Sequence, residues 1–238
     1  MIDLPIPQPM SDQEAPIPAS AECGEPLVAL SSLADKIRVY PYYYHQGYSS
    51  AMQDCYLRAG AAQLLQQAAE RLPAGFSLVV LDGWRPYDLQ TAIYEQFKQS
   101  LIAQGWSDDA SLVAELTKYV ALPSTDPEKP SPHITGGAVD LTIAGPDGWL
   151  EMGTDFDDFS PRAATRFYEM LPEQECGRRE ERIRSNRRWL YHLMTEVGFT
   201  NYPEEWWHYD YGNHHWAREK NAAPIYQSIL SIDFSEKY

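Results

Sequence analysis

The stretch Ala138-Val139-Asp140-Leu141-Thr142-Ile143 constrains what this chain can fold into more than any other. Its apolar and β-branched residues favour a strand. In a strand Val139, Leu141 and Ile143 face one side while Asp140 and Thr142 face the other. A carboxylate inside such a strand is expensive to bury unless a cation or hydrogen-bond donors meet it. The fold must therefore bring a positive or donating group to Asp140.

The preceding residues, Ser131-Pro132-His133-Ile134-Thr135-Gly136-Gly137, contain a candidate. Gly136 and Gly137 free the backbone to turn, so that His133 swings back over the face carrying Asp140. A histidine and a carboxylate converging beside a strand supply two of the three protein ligands of a catalytic zinc site. Taken alone, the segment also fits an ordinary surface histidine near a strand-edge acid, and that plainer reading is the stronger one for this segment by itself. A second segment, Glu204-Glu205-Trp206-Trp207-His208, places a histidine in an aromatic strand, where a neutral imidazole is a good ligand. Alone, it too fits plain core packing. Glu205 must lie in the bend after Pro203, near a metal but not binding it.

Together the segments fit one chemistry. Two histidines and an aspartate leave an open zinc position for water, whose pKa zinc brings from about 15.7 toward about 7. A separate carboxylate then serves as general base: Glu205, with Glu204 as the fallback. A cation is wanted for the carbonyl oxygen as it gains charge, and Arg85 leaves the strand end in the turn Asp82-Gly83-Trp84-Arg85-Pro86. The alternative for Arg85 is a simple pairing with Asp82 or Asp88.

Around these segments the pattern predicts helices over 56–72, from a cap at Asp88 through Leu101, over 107–121, near 161–171 and over 179–197. Strands are expected at 76–81, 138–143 and 206–211, and a loop at 122–132, which holds four prolines. Residues 39–48 are aromatic and read as a loop or edge strand wrapping onto the fold. Strands this few and irregularly spaced imply a single α+β domain over 26–238, with a small, mainly antiparallel sheet flanked by helices. Residues 1–25, rich in Pro, Ser and acids, read as a loosely held arm.

Composition narrows the partners. With 44% apolar residues the chain can bury a core without disulfides, and Cys23, Cys55 and Cys176 are expected as reduced thiols. A net charge of −15 argues against nucleic acid and anionic membrane surfaces as partners. The N-terminus lacks a basic start and an apolar core, and no apolar run reaches the ~20 residues of a membrane helix, so a cytoplasmic location is expected. Neither a G-x-S-x-G elbow nor HExxH is present, which disfavours serine-hydrolase and helical zinc-protease chemistry. His45 and His192 read as structural, and the adjacent His214 and His215 as a surface turn rather than a second metal site.

In order along the chain, DGWRP, SPHITGGAVD, MGTDFD and EEWWH resemble the D-alanyl-D-alanine dipeptidases of the VanX type. That family belongs to a wider group of zinc peptidases that includes peptidoglycan D,D- and L,D-carboxypeptidases and shares a Hedgehog-like fold. The resemblance covers about residues 35–212. It implies a single zinc ion on His133, Asp140 and His208, with Glu205 as base and Arg85 stabilising the transition state. It further implies substrate contacts from Ser131 and Asp157, with Asp157 meeting the free ammonium of a dipeptide such as D-Ala-D-Ala. MGTDFD favours the dipeptidase branch over the carboxypeptidases. Two features depart from the pattern: Trp84 stands where Tyr is frequent, and Asp155 adds a second acid beside Asp157. The rival readings are a carboxypeptidase and a zinc-holding module without catalysis, the latter with no need of Glu205 or Arg85.

Overall fold

The computed structural model describes residues 4–9, 22–33, 35–127 and 129–231. Among them the strands are β1 (Leu27–Ala29), β2 (Ile37–Val39), β3 (Tyr56–Arg58), β4 (Ser77–Asp82), β5 (Ala138–Gly145), β6 (Gly148–Trp149), β7 (Thr200–Asn201) and β8 (His208–Asp210). The α-helices are α1 (Tyr42–His45), α2 (Ala59–Glu70), α3 (Tyr87–Ala103), α4 (Ala110–Leu116), α5 (Arg178–Thr195) and α6 (His214–Lys220). The main sheet runs β2-β4-β5-β8-β7, with β6 paired to β5; only β2–β4 is parallel. β1 and β3 form a separate antiparallel ribbon. The α+β class and the mainly antiparallel sheet are as the sequence implies.

β4 is buried along its whole length, and β5 up to Ala144. Leu78, Val80, Val139, Leu141 and Ile143 join Leu65 of α2 and Leu190 and Met194 of α5 in the core. Small residues on the inner face of α2, Ala61, Ala62, Ala68 and Ala69, are buried where the helix lies against the body.

Strand register then positions the polar residues. Asp140 of β5 stands opposite His208 of β8, and Asp82 of β4 stands opposite Asp140 after an irregularity between Val80 and Asp82. Residues directly opposed across strands share a face. Three adjacent strands therefore present Asp82, Asp140 and His208 in a row, and a slip of one residue would turn any of them away.

Several boundaries differ from expectation, each for a physical reason. Tyr56–Arg58 are strand, not the start of a helix: they pair with Leu27–Ala29, and Leu57 is fully buried there as it would be on a helical stripe. Pro86, not Asp88, occupies the N-cap of α3, and Asp88 lies in its first turn. α4 is shorter than 107–121 because Asp109 caps it, its Oδ1 accepting from the Ser111 amide at 2.8 Å. Instead of a helix near 161–171 there are two 3-10 turns, Pro161–Ala163 and Phe167–Glu169. The carbonyls of Arg162 and Ala164 accept from the Arg187 guanidinium there, and that of Ala164 also accepts from the Phe167 amide at 2.9 Å in a 3-10 turn. β8 holds only His208–Asp210, and Trp206 and Trp207 sit in the turn before it. Val39 ends edge strand β2, and the aromatic run after it makes the single helical turn α1.

Of the arm expected over 1–25, residues 1–3 and 10–21 lie outside the described residues. The described parts are held. Ile6 is buried, its N–H donating to Glu169 Oε1 and its carbonyl accepting from Arg166 Nε, each at 3.1 Å. His192 Nε2 donates to the Leu4 carbonyl at 2.9 Å, a structural role as expected. Glu22 pairs with the buried Arg58 at 2.9 Å. Cys23, Cys55 and Cys176 are all free thiols. Among the described residues, no helix is long and apolar enough to cross a membrane.

Candidate metal centre

His133 opens a 3-10 turn, His133–Thr135, that Gly136 closes at φ 71°, a left-handed conformation suited to glycine. Gly137 follows with the Tyr211 carbonyl so near that a Cβ would lie 2.3 Å from its oxygen. These two glycines let the turn fold back onto β5, so that His133 Nε2 reaches 3.3 Å from Asp140 Oδ2 and 3.2 Å from His208 Nδ1. His208 Nδ1 is in turn 3.0 Å from Asp140 Oδ1. All three side chains are buried.

The outer nitrogens fix which atoms face inward. His133 Nδ1 donates to the Gly83 carbonyl at 2.8 Å, and His208 Nε2 faces Asp210 Oδ1 at 3.1 Å. The inner ring nitrogens, His133 Nε2 and His208 Nδ1, thus turn toward the Asp140 carboxylate. Asp210 is itself anchored by Asn213 Nδ2 at 2.5 Å, and His215 Nδ1 approaches its other oxygen at 3.5 Å. Outer partners of this kind orient metal-binding histidines and raise their basicity. His214 and His215 open helix α6, with His215 turned toward Asp210, rather than forming a plain surface turn.

Glu205 lies in the bend before β8, buried, with Oε2 3.8 Å from His208 Nδ1. Burial pushes its carboxyl up to about 8, with nearby Asp140 and Asp157 adding to the rise and His208 and Arg85 opposing it. Arg85 is also buried: Nε pairs with Asp82 Oδ2 at 2.7 Å and Nη1 donates to Gln90 Oε1 at 2.9 Å. Its Nη2 has longer contacts, 3.4 Å each to Tyr43 Oη and Asp140 Oδ2. The pairing with Asp82 and an orientation toward the centre are therefore both realised, through different nitrogens. Tyr43 continues the chain, donating to Asp157 Oδ2 at 2.7 Å. Asp157 takes a left-handed backbone, φ 60°, and burial pushes its carboxyl up to about 7 against the pull of Arg85 and the Tyr43 hydrogen bond.

A cavity of about 440 Å³ joins these groups, with Arg85, His133, Asp140, Asp157, Glu205 and His208 in its wall. A family sequence model described as peptidase M15, D-ala-D-ala dipeptidase, matches residues 48–225. The chain belongs to that family. A D-alanyl-D-alanine dipeptidase of Synechocystis sp. is 28% identical over 224 residues, which cover 87% of this chain and 91% of that protein. One of Escherichia coli is 26% identical over 138 residues, covering 58% of this chain and 56% of the relative. Among solved structures, a vancomycin-resistance D,D-pentapeptidase, VanY, in complex with Zn(II) aligns over 72% of this chain and 83% of its own at 20% identity and a TM-score of 0.41.

Within this dipeptidase-family fold, the predicted His133, Asp140, His208, Glu205, Arg85 and Asp157 line one cavity. Asp155 is exposed and lines a different depression, so only Asp157 of the two acids faces the centre. Ser131 is buried and its hydroxyl finds no hydrogen-bond partner among the described residues, but the cavity wall begins at Pro132. Trp84 has a role of its own: its indole N–H donates to the Ile229 carbonyl at 2.9 Å, fastening the C-terminal segment to the turn that carries Arg85. Sequence reasoning missed Tyr43, Gln90 and Asp210. Asp210 carried a usable signal, as an acid two residues from His208 on the same face of a strand. Tyr43 and Gln90 carried none.

Proposed function

We propose that the protein is a zinc-dependent dipeptidase that hydrolyses free D-Ala-D-Ala. One observation carries this reading: His133 Nε2, His208 Nδ1 and the Asp140 carboxylate converge within 3.0–3.3 Å of one another. Two buried imidazole nitrogens and a buried carboxylate facing one point are what a divalent cation completes. Two imidazoles and one carboxylate favour zinc among the common metals. The residues present therefore fit one zinc ion, held by His133, Asp140 and His208. When bound, zinc supplies Lewis-acid polarisation and lowers the pKa of water from about 15.7 to about 7.

The remaining steps belong to this chain's own side chains. Glu205 takes the proton from the attacking water and delivers it to the leaving amine, a role suited to a carboxylate beside the ligands but not among them. Arg85 Nη2, the less committed end of the guanidinium, meets the carbonyl oxygen as negative charge builds there. Asp82 and Gln90 hold the other guanidinium nitrogens, so Arg85 is oriented before substrate arrives. Asp157 takes the substrate ammonium, and a fixed carboxylate at that end discriminates against N-blocked peptides, for which it has no charge partner.

The test is metal content measured together with hydrolysis of free and N-acylated D-Ala-D-Ala. One zinc per chain and cleavage of the free dipeptide are the expected results. Cleavage of the acylated peptide alone would make the protein a carboxypeptidase instead. Stoichiometric zinc with no turnover of either peptide would favour a binding module.

A further inference from the structure

Beside the metal centre lies a second cavity, of about 790 Å³. It shares Tyr43, Ile93, Tyr119, Asp157 and Phe159 with the wall of the first, so the carboxylate assigned to the substrate amine stands at their junction. The two spaces differ in charge. The centre's wall contains Arg85, Arg218, His133, His208 and His215. The described lining of the side chamber contains no Lys, Arg or His, and pairs Asp157 and Asp158 with the rings of Tyr42, Tyr48 and Trp106. Glu115 also lines it, engaged with Lys118 at 2.6 Å.

In a dipeptide the first side chain branches from the same carbon as the amine. With the amine at Asp157, that side chain starts at the mouth of the chamber. A methyl group would leave the chamber empty, whereas cavities of ~300–1,000 Å³ are the size that drug-sized ligands fill. Carboxylates interleaved with aromatic faces, in a lining that itself holds no basic residue, attract a cation both by charge and by the ring quadrupole. We propose that the chamber receives the side chain of the substrate's N-terminal residue and selects a long, positively charged one. This rests on the dipeptidase reading above and extends it from one dipeptide to a class.

The zinc-loaded full chain is assayed for kcat/KM on D-Ala-D-Ala, D-Lys-D-Ala and D-Glu-D-Ala. D-Lys-D-Ala is expected to exceed D-Ala-D-Ala by about fivefold or more, and D-Glu-D-Ala to fall below it. Asp158→Asn, which removes a chamber charge, and Ser100→Trp, which fills chamber space, are expected to erase the lysine advantage and leave D-Ala-D-Ala turnover unchanged. Cleavage of D-Ala-D-Ala without a lysine advantage overturns the chamber proposal alone. So does a loss in the two variants that strikes both substrates equally. Cleavage of none of the three peptides removes the dipeptidase reading, and the chamber proposal with it.

Discussion

The candidate metal centre and the Asp157 loop border the same cavity but are built in opposite ways. His133, Asp140 and His208 come from the sheet and a turn stitched to it, and strand register brings Asp140 and His208 face to face. Asp157 comes from a segment with no strand and only short 3-10 turns, in a left-handed backbone conformation. That loop is held by side chains reaching in from other elements, among them Trp206, whose indole N–H donates to Thr154 Oγ1 at 2.8 Å, and the buried Arg187. Arg187 of α5 donates to the carbonyls of Met152, Arg162 and Ala164 at 2.7–2.8 Å, and its guanidinium lies 4.8 Å from the Tyr168 ring centre. The half around His133, Asp140 and His208 thus stands on ladder hydrogen bonds, and the Asp157 half on side-chain contacts from Arg187, Trp206 and Tyr43.

The sharpest way to break this division is at Glu205, on the chemical side. Glu205→Ala is expected to lose about 10²–10⁴-fold in kcat while zinc content, measured by elemental analysis, stays at one per chain. Unchanged turnover would remove Glu205 from the mechanism. Next in size, Asp210→Asn withdraws the outer partner of His208 without touching substrate. Metal affinity, read by chelator competition, is expected to fall about 10–100-fold, with KM at saturating zinc little changed.

On the loop side, Asp157→Asn is expected to raise KM for D-Ala-D-Ala about tenfold or more through loss of a charged hydrogen-bond partner, with zinc retained. Asparagine tolerates the left-handed backbone, so the substitution tests charge rather than conformation. It also carries a stability signature. Burial raises the Asp157 pKa to about 7, so ionising this carboxyl costs the folded state more than the unfolded one. The penalty is absent below the unfolded carboxylate range near 3.8, grows as pH rises, and is complete above about 7. The variant is therefore expected to melt higher than the parent at pH 8, with the gap closing toward pH 4; a lower melting point at pH 8 would contradict the assignment. The smallest effect is expected from Arg187→Lys. Lysine cannot reproduce the planar fork, so at least one buried carbonyl loses its donor, at about 1–3 kcal/mol. A Tm lower by several degrees and a severalfold higher KM, with kcat and zinc content near the parent's, would show that Arg187 acts by placing the loop. A matching fall in zinc content would join the two halves that the structure separates.

The sequence by itself determined the parts governed by local chemistry. An acid in an apolar strand demanded a partner, paired glycines allowed His133 to return, and a proline bend placed Glu205 off the strand, so the residues that converge on Asp140 and the α+β class were legible from residue types and spacing. The family motifs added Asp157, though not the choice between it and Asp155. Only the tertiary structure decided the rest. Whether Asp140 opposes His208 depends on register, which is set by pairing between segments far apart in sequence. Tyr43 and Gln90 joined the site because α1 and α3 pack beside the turn carrying Arg85, and neither has a local pattern that marks it. The segment 161–171 looked helical because its apolar spacing is. A guanidinium arriving from α5 donates to the carbonyls of Arg162 and Ala164, the Trp206 amide donates to the Ala163 carbonyl and the Thr165 amide to the Pro203 carbonyl, so partners outside the segment replace the ladder of a helix. Periodicity reports which residues will be buried, whereas the hydrogen-bond partners of a buried backbone are chosen by whatever the rest of the fold brings to it.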